Sequence, residues 1–173
     1  MMDSRRLRLN KLAAKFNESD AHIVLVDDEM MVLETLRTFL EFETEYKVTS
    51  FTDPEAAIAF GKETDVDLVV SDFLMPQING IALLREFGES NPYAPRILLT
   101  GYADKGSAIK AINEVGLFQY LEKPWDNDQL LVVFRNALDR RFLFKALQDK
   151  IAEVDKAQGK LSGLQDDILR TFI

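Results

Sequence analysis

The chain of 173 residues is 47% hydrophobic and carries 29 acidic against 21 basic side chains, a net charge of −8, with no cysteine. That is enough apolar material for one domain with a well-buried core and an appendage, and charges of mixed sign along the chain argue against global disorder. Acidity disfavours nucleic acid as a direct partner of this region, the missing cysteines exclude disulfides, thiolate metal sites and a thiol nucleophile and fit a reducing cytoplasmic setting, and no run approaches the roughly 20 apolar residues of a transmembrane segment.

Residues 1–20 form a basic extension in which Arg5, Arg6, Arg8, Lys11 and Lys15 surround Leu7, Leu9, Leu12 and Phe16. A short amphipathic helix is expected there; docking on a membrane surface is the alternative, diluted by Asp3, Glu18 and Asp20. From Ala21 onward, short β-branched runs alternate five times with stretches of helical period, the pattern of βαβ units and hence of a parallel sheet. Strands are expected at about 22–27, 46–51, 67–72, 96–100 and 118–122. Between the first two, Glu29 to Phe42 places Val32, Leu33, Leu36, Phe39 and Leu40 on one stripe, with Glu34, Arg37 and Glu41 opposite. Asp53-Pro54 reads as an N-cap followed by proline in the first turn, and Asn91-Pro92 should end the helix that follows Gly80. Asp104 can cap a fourth helix through Ile109 and Ile112 that stops at Gly116; its few bulky apolar residues predict loose packing. Met30, Met31 and the phenylalanines read mainly as core or helix-interface filling, and His22, the one histidine, as an exposed or locally bonded side chain ahead of the first strand.

From Asp126 the helical pattern runs on past the length of an ordinary fifth helix. Leu130, Val133, Ala137, Phe144, Leu147, Ile151, Val154, Leu161 and Ile168 recur at alternating spacings of three and four, with Arg140, Gln158 and Gln165 at otherwise apolar positions. This suits a coiled coil whose polar seam residues fix register, weakened by about 1 kcal/mol at each of Gly159 and Gly163. An amphipathic helix folded back on its own domain is the other reading. The expected organisation is the basic extension, a domain over 21–140, and a linker or dimerisation helix over 141–173.

Four of the strand runs end in reactive groups: Asp27-Asp28, Asp72, Thr100 and Lys123. Each alone has an ordinary use as a turn or cap residue. Parallel strands of one open α/β sheet, however, bring their carboxyl ends together, where such folds bind ligands. Adjacent carboxylates beside Asp72 call for a cation, and magnesium suits hard oxygen ligands, with Asp28 and Asp72 expected as direct ligands and Asp27 acting through a water. Asp72 is placed to attack phosphorus, Lys123 to offer a positive charge to the phosphoryl oxygens and Thr100 to offer a hydroxyl.

Over about residues 21–140 the sequence resembles the receiver domain of two-component response regulators. Val26-Asp27-Asp28-Glu29, Ser71-Asp72-Phe73-Leu74-Met75-Pro76 with Gly80, Leu99-Thr100-Gly101 and Glu122-Lys123-Pro124-Trp125 stand in that family's order. The resemblance implies a flavodoxin-like, doubly wound five-stranded parallel sheet of order 2-1-3-4-5. It implies phosphorylation of Asp72 by a sensor histidine kinase or phosphotransfer protein with Mg2+ bound, the Leu74 backbone carbonyl as a further metal ligand, and Thr100 and Tyr120 as switch residues. Leu74 and Gln77 occupy positions where the family varies and which tune the lifetime of the phospho-form. The Lys-Pro-Trp segment resembles receivers joined to phosphodiesterases of the HD-GYP type or to ATPase transcription activators. The expected role is a phosphoacceptor that signals through the fourth helix, fifth strand and long C-terminal helix to an attached effector or a homodimer, formed by that helix or by the fourth-helix, fifth-strand and fifth-helix face. A receiver-like module that binds proteins without phosphate is the alternative, and an independent phosphatase working through an aspartyl-phosphate is a third reading, weakened by the lack of a cap domain and of a clear general acid near Asp72.

Overall fold

The computed structural model describes residues 20–101 and 105–171. Strands β1 (His22–Val26), β2 (Lys47–Phe51), β3 (Leu68–Asp72), β4 (Arg96–Thr100) and β5 (Gln119–Glu122) form one parallel sheet of order 2-1-3-4-5. Each lies within one residue of the run that predicts it. Helices α1 (Met30–Glu43), α2 (Pro54–Glu63), α3 (Gly80–Ser90), α4 (Lys105–Val115) and α5 (Asn127–Thr171) connect and cover it. The expected basic extension, all but Asp20, and the expected cap Asp104 lie outside the described residues.

Strand side chains alternate between two cores, as a pleat with period two requires. Ile23, Leu25, Leu68, Val70, Ile97 and Leu99 face α1 and α5. Val24, Val26, Val69 and Leu98 face α2, α3 and α4. This double burial explains why the central strands read as unbroken apolar runs. Local chemistry ends the helices as the sequence suggests: the Asp53 carboxylate accepts from the Glu55 N–H at 3.0 Å ahead of Pro54, and Gly116 adopts φ +67° after α4. Asn91 does more than stop α3, because its carboxamide also accepts from Val66 N (3.1 Å) and donates to the Gly61 carbonyl (2.6 Å).

Several side chains expected inside are outside. Met30, Met31 and Phe42 on α1 are 56%, 79% and 86% exposed, because the inward stripe of that helix is already filled by Leu33, Leu36 and Leu40. On α4, Ile109 points outward, leaving Ala108 and Val115 as the buried residues among those described. His22, conversely, is the first residue of β1 rather than a residue ahead of it, and is buried. Its Nε2 lies 2.8 Å from Thr49 Oγ1, and burial, aided by Lys47, holds its pKa below the ordinary value.

Helix α5 is 45 residues long, about 67 Å at 1.5 Å per residue, and unbroken across residue 140. Leu130, Val133, Phe134, Ala137 and Leu138 bury its first turns against the sheet, and buried residues continue to Ala146. A clamp holds it below the sheet, at the end opposite Asp72. Arg141 reaches Asp65 at 2.8 Å and Asp67 at 3.4 Å, Lys145 reaches Asp65 at 2.9 Å, and the other Asp67 oxygen accepts from His22 N at 3.0 Å. Burial would raise the Asp65 pKa, but the two cations outweigh it and hold the carboxyl below its ordinary value. Arg141 and Asp67 are both about 5% exposed, and Arg141→Ala leaves the buried Asp67 carboxylate with only the Lys145 ammonium at 3.5 Å and the His22 N–H, so it should cost about 3 kcal/mol in urea unfolding. Lys145→Ala, at a partly exposed position, should cost under about 1 kcal/mol. Equal losses would contradict this account of the clamp.

Candidate functional site

The strand register sets the site. Val26 pairs with Ser71, so the next residues, Asp27 just past β1 and Asp72 at the last position of β3, stand side by side; Thr100 pairs with Glu122, and the Lys123 N–H donates to the Thr100 carbonyl at 2.8 Å. Asp27 also turns the chain, since its Oδ1 accepts from the Glu29 N–H at 2.9 Å. Gly80 allows α3 to approach from behind: its N–H donates to Phe73 O at 2.8 Å, and a Cβ there would run into the Asp72 carbonyl oxygen and Leu98. The Lys123-Pro124 peptide is cis, and Trp125 beyond it is half-buried against the α1/α5 core.

Lys123 Nζ lies 2.9 Å from Asp27 Oδ2 and 2.9 Å from Asp72 Oδ1. Asp27 is fully buried, Asp72 nearly so, and Asp28 exposed; one oxygen of each lies within 4.8 Å of the others. Three carboxylates against one ammonium leave a local excess of negative charge on hard oxygen donors, which fits a divalent cation of the magnesium kind. Asp27 has both oxygens engaged by protein groups, whereas Asp28 is open to solvent, an arrangement that favours Asp28 and Asp72 as the direct ligands.

Burial pushes the Asp72 carboxyl above its ordinary pKa, with Asp27 adding to the effect and Lys123 opposing it. Burial would lower Lys123, but its bonds to Asp72 and Asp27 win and raise it, so the ammonium stays charged at neutral pH. Thr100 is buried at the next strand end with its hydroxyl donating to the Gly101 carbonyl at 3.1 Å, and Tyr120 is half-buried against the α2/α3/α4 core. The Leu74 side chain, two residues past β3, is 62% exposed on the rim. The structure thus gathers Asp27, Asp28, Asp72 and Lys123 into direct contact or ligand distance, sets Thr100 beside them, and leaves His22 at the far end of β1. Sequence reasoning missed Asn79, whose side chain caps α3 beside the site by accepting from Ala82 N at 2.9 Å; an Asn directly before Gly80 was the available signal.

A raised native pKa means that the folded protein holds a proton on Asp72 more tightly than the unfolded chain does. Its stabilising share is therefore present below the unfolded carboxyl pKa and is lost as pH rises through the native value. At neutral pH the ionised Asp72 weighs against the fold. In metal-free buffer at pH 7, Asp72→Asn should raise the unfolding midpoint, and the gain should vanish as pH falls toward the carboxyl range. Added Mg2+ should stabilise the wild type more than the variant. A metal-free Asp72→Asn protein melting below wild type at pH 7 would contradict this electrostatic reading.

Comparison with known proteins agrees with the geometry. Residues 23–135 match the response regulator receiver domain family. Over 127 residues the chain is 32% identical to the hydrogenase transcriptional regulatory protein HoxA of Cupriavidus necator, covering 73% of this chain but only 26% of HoxA. A receiver domain of Clostridium thermocellum is 31% identical with a TM-score of 0.67, over 72% of this chain and 98% of that one. The receiver of an HD domain-containing protein from Pseudomonas fluorescens Pf-5 is 36% identical with a TM-score of 0.66, over 70% and 97%. With its sheet order, its aligned strand ends and a family match over most of its length, the chain belongs to the response regulator receiver family.

Proposed function

We propose that this chain accepts a phosphoryl group on Asp72 from the phosphohistidine of a sensor kinase or phosphotransfer protein and passes the change to its output helix. The observation that carries the reading is Lys123 held between Asp27 and Asp72 at the mouth of the acidic cluster. Asp28, Asp72 and the Leu74 carbonyl would hold Mg2+ directly, with Asp27 behind a water; bound there, the ion neutralises charge on the transferring group.

In the transfer, an Asp72 oxygen forms a bond to phosphorus while the phosphorus–nitrogen bond of the donor breaks, its electron pair returning to the imidazole nitrogen. Lys123 gives up its contact with Asp72 and turns its charge on the new phosphoryl oxygens. The Thr100 hydroxyl exchanges the Gly101 carbonyl for one of those oxygens, and Tyr120 moves inward into the space beside it. Helix α4 is suited to follow, since few of its described side chains are buried. The output then runs through α4, β5 and α5 to a homodimer or an attached effector. The first is consistent with the bare seam of α5, the second with the chain spanning a quarter of HoxA, a transcriptional regulator by name. The role is that of a signalling switch working on the cytoplasmic side, and no helix among the described residues is long and apolar enough to cross a membrane. The complete set of Asp27, Asp28, Asp72, Thr100 and Lys123 argues against a module that works without phosphate.

Incubation with radiolabelled acetyl phosphate and Mg2+ should label the wild type, and Asp72→Ala should lose the label. Full labelling of Asp72→Ala would overturn the assignment. Trp125, the one tryptophan, lies two residues past Lys123 and reports the switch by fluorescence. With Mg2+ and beryllofluoride its emission should change in the wild type, while Lys123→Ala should bind Mg2+ at least as tightly yet show little beryllofluoride response. An unaltered response in Lys123→Ala would remove that residue from the switch.

A further inference from the structure

Ser71 is fully buried, and by the alternation of β3 it faces α2, α3 and α4 in a row otherwise built of Val24, Val26, Val69 and Leu98. A hydroxyl in such a place costs free energy unless it is bonded, and alanine or valine would fill the row without that cost. The Ser71 hydroxyl donates to the carbonyl oxygen of Asp72 at 2.9 Å. That oxygen is also the atom that a Cβ at Gly80 would strike, so the start of α3 lies against it.

The Asp72 carbonyl lies where the ladder between β1 and β3 stops. Val26, the last residue of β1, pairs with Ser71, and the N–H of Asp27 turns to the Phe51 carbonyl of β2 at 3.2 Å. On the other edge of the same peptide, the Phe73 N–H donates to Leu99 O of β4 at 2.9 Å, and one peptide further the Phe73 carbonyl accepts from Gly80 N at 2.8 Å. Three bonds therefore hold the two peptide planes that lead from Asp72 to Leu74. Two run from backbone to backbone; the third comes from the Ser71 side chain and alone depends on residue type.

We infer that Ser71 is a positioning residue for the acidic site: its hydroxyl fixes the Asp72 carbonyl, and with it the angle at which the Asp72 carboxylate and the Leu74 carbonyl face one ion. The inference rests on the metal and phosphoacceptor roles proposed above and adds a residue that touches neither the ion nor the phosphoryl group. A carboxylate can turn about its own side-chain bonds to follow a metal, whereas a carbonyl moves only with its rigid peptide plane. Magnesium demands a near-ideal octahedron at about 2.1 Å, so a tilted plane is felt there first. Asp72 has its side chain tied to Lys123 at 2.9 Å, a bond that the proposed transfer gives up. From that moment the backbone grip is what keeps the carboxylate in place.

Three variants of the full chain separate the hydroxyl from the space it fills. Ser71→Ala removes it, Ser71→Thr keeps it with an added methyl, and Ser71→Val has the shape of threonine without it, so overpacking is common to the last two. In metal-free protein, amide exchange followed by NMR should quicken about fivefold at Phe73 relative to Val70 in Ser71→Ala; a general loss of stability would quicken both alike. By calorimetry, Ser71→Thr should bind Mg2+ about fivefold more tightly than Ser71→Val. Equal quickening at Phe73 and Val70, or equal Mg2+ affinity in the threonine and valine variants, overturns the proposal. The exchange measurement involves neither metal nor phosphate, and acetyl phosphate labelling of the wild type is read apart, so failure of the Ser71 role and failure of the phosphoacceptor site are distinguishable.

Discussion

One ammonium between two buried carboxylates organises this molecule. Lys123 bridges Asp27 and Asp72 at 2.9 Å each, and neither carboxylate would be tolerable so far from water without it. The bridge draws β5 toward β1 and β3, which are not its neighbours in the sheet, and it spans the whole site. It is also incomplete, because Asp28 adds a third carboxylate and Asp72 keeps a raised pKa. That residual charge is what a metal and a phosphoryl group would use, and a lysine released from Asp72 is what they would displace.

The rest of the fold serves that arrangement. Central strands buried on both faces are rigid and hold their carboxyl ends in register, while glycine at position 80 lets α3 press against the backbone of Asp72. The opposite end of the sheet is pinned by a second ionic cluster, Arg141 and Lys145 with Asp65 and Asp67. Strand β3 thus runs between two charged sites, one that fixes the output helix and one that receives the signal. Between these fixed ends lies α4, where only Ala108 and Val115 are buried among the described side chains, so that movement there costs little.

Much of this was legible in the residues. Unbroken apolar runs gave the strands because the sheet is covered on both faces, and four run ends gave Asp27, Asp28, Asp72, Thr100 and Lys123 because parallel strands must finish on one side. Illegible features were those that depend on distant partners. Nothing local marks Arg141 as the buried partner of acids more than 70 residues earlier, or Asn91 as a brace to Gly61 and Val66. Met30, Met31 and Phe42 misled for the opposite reason: their type suggests a core, but their angle around α1 puts them on its outer face. His22 was displaced in the other direction, its side chain drawn inside by the start of β1 and a bond to Thr49.

The most direct test of the central claim is a crystal structure of the chain with Mg2+ and beryllofluoride. The account predicts the beryllium adduct on an Asp72 oxygen, the metal on Asp28, Asp72 and the Leu74 carbonyl, and Lys123 Nζ moved from Asp72 to a fluoride. An adduct elsewhere, or a Lys123 still bridging Asp27 and Asp72 with metal and fluoride present, would contradict it.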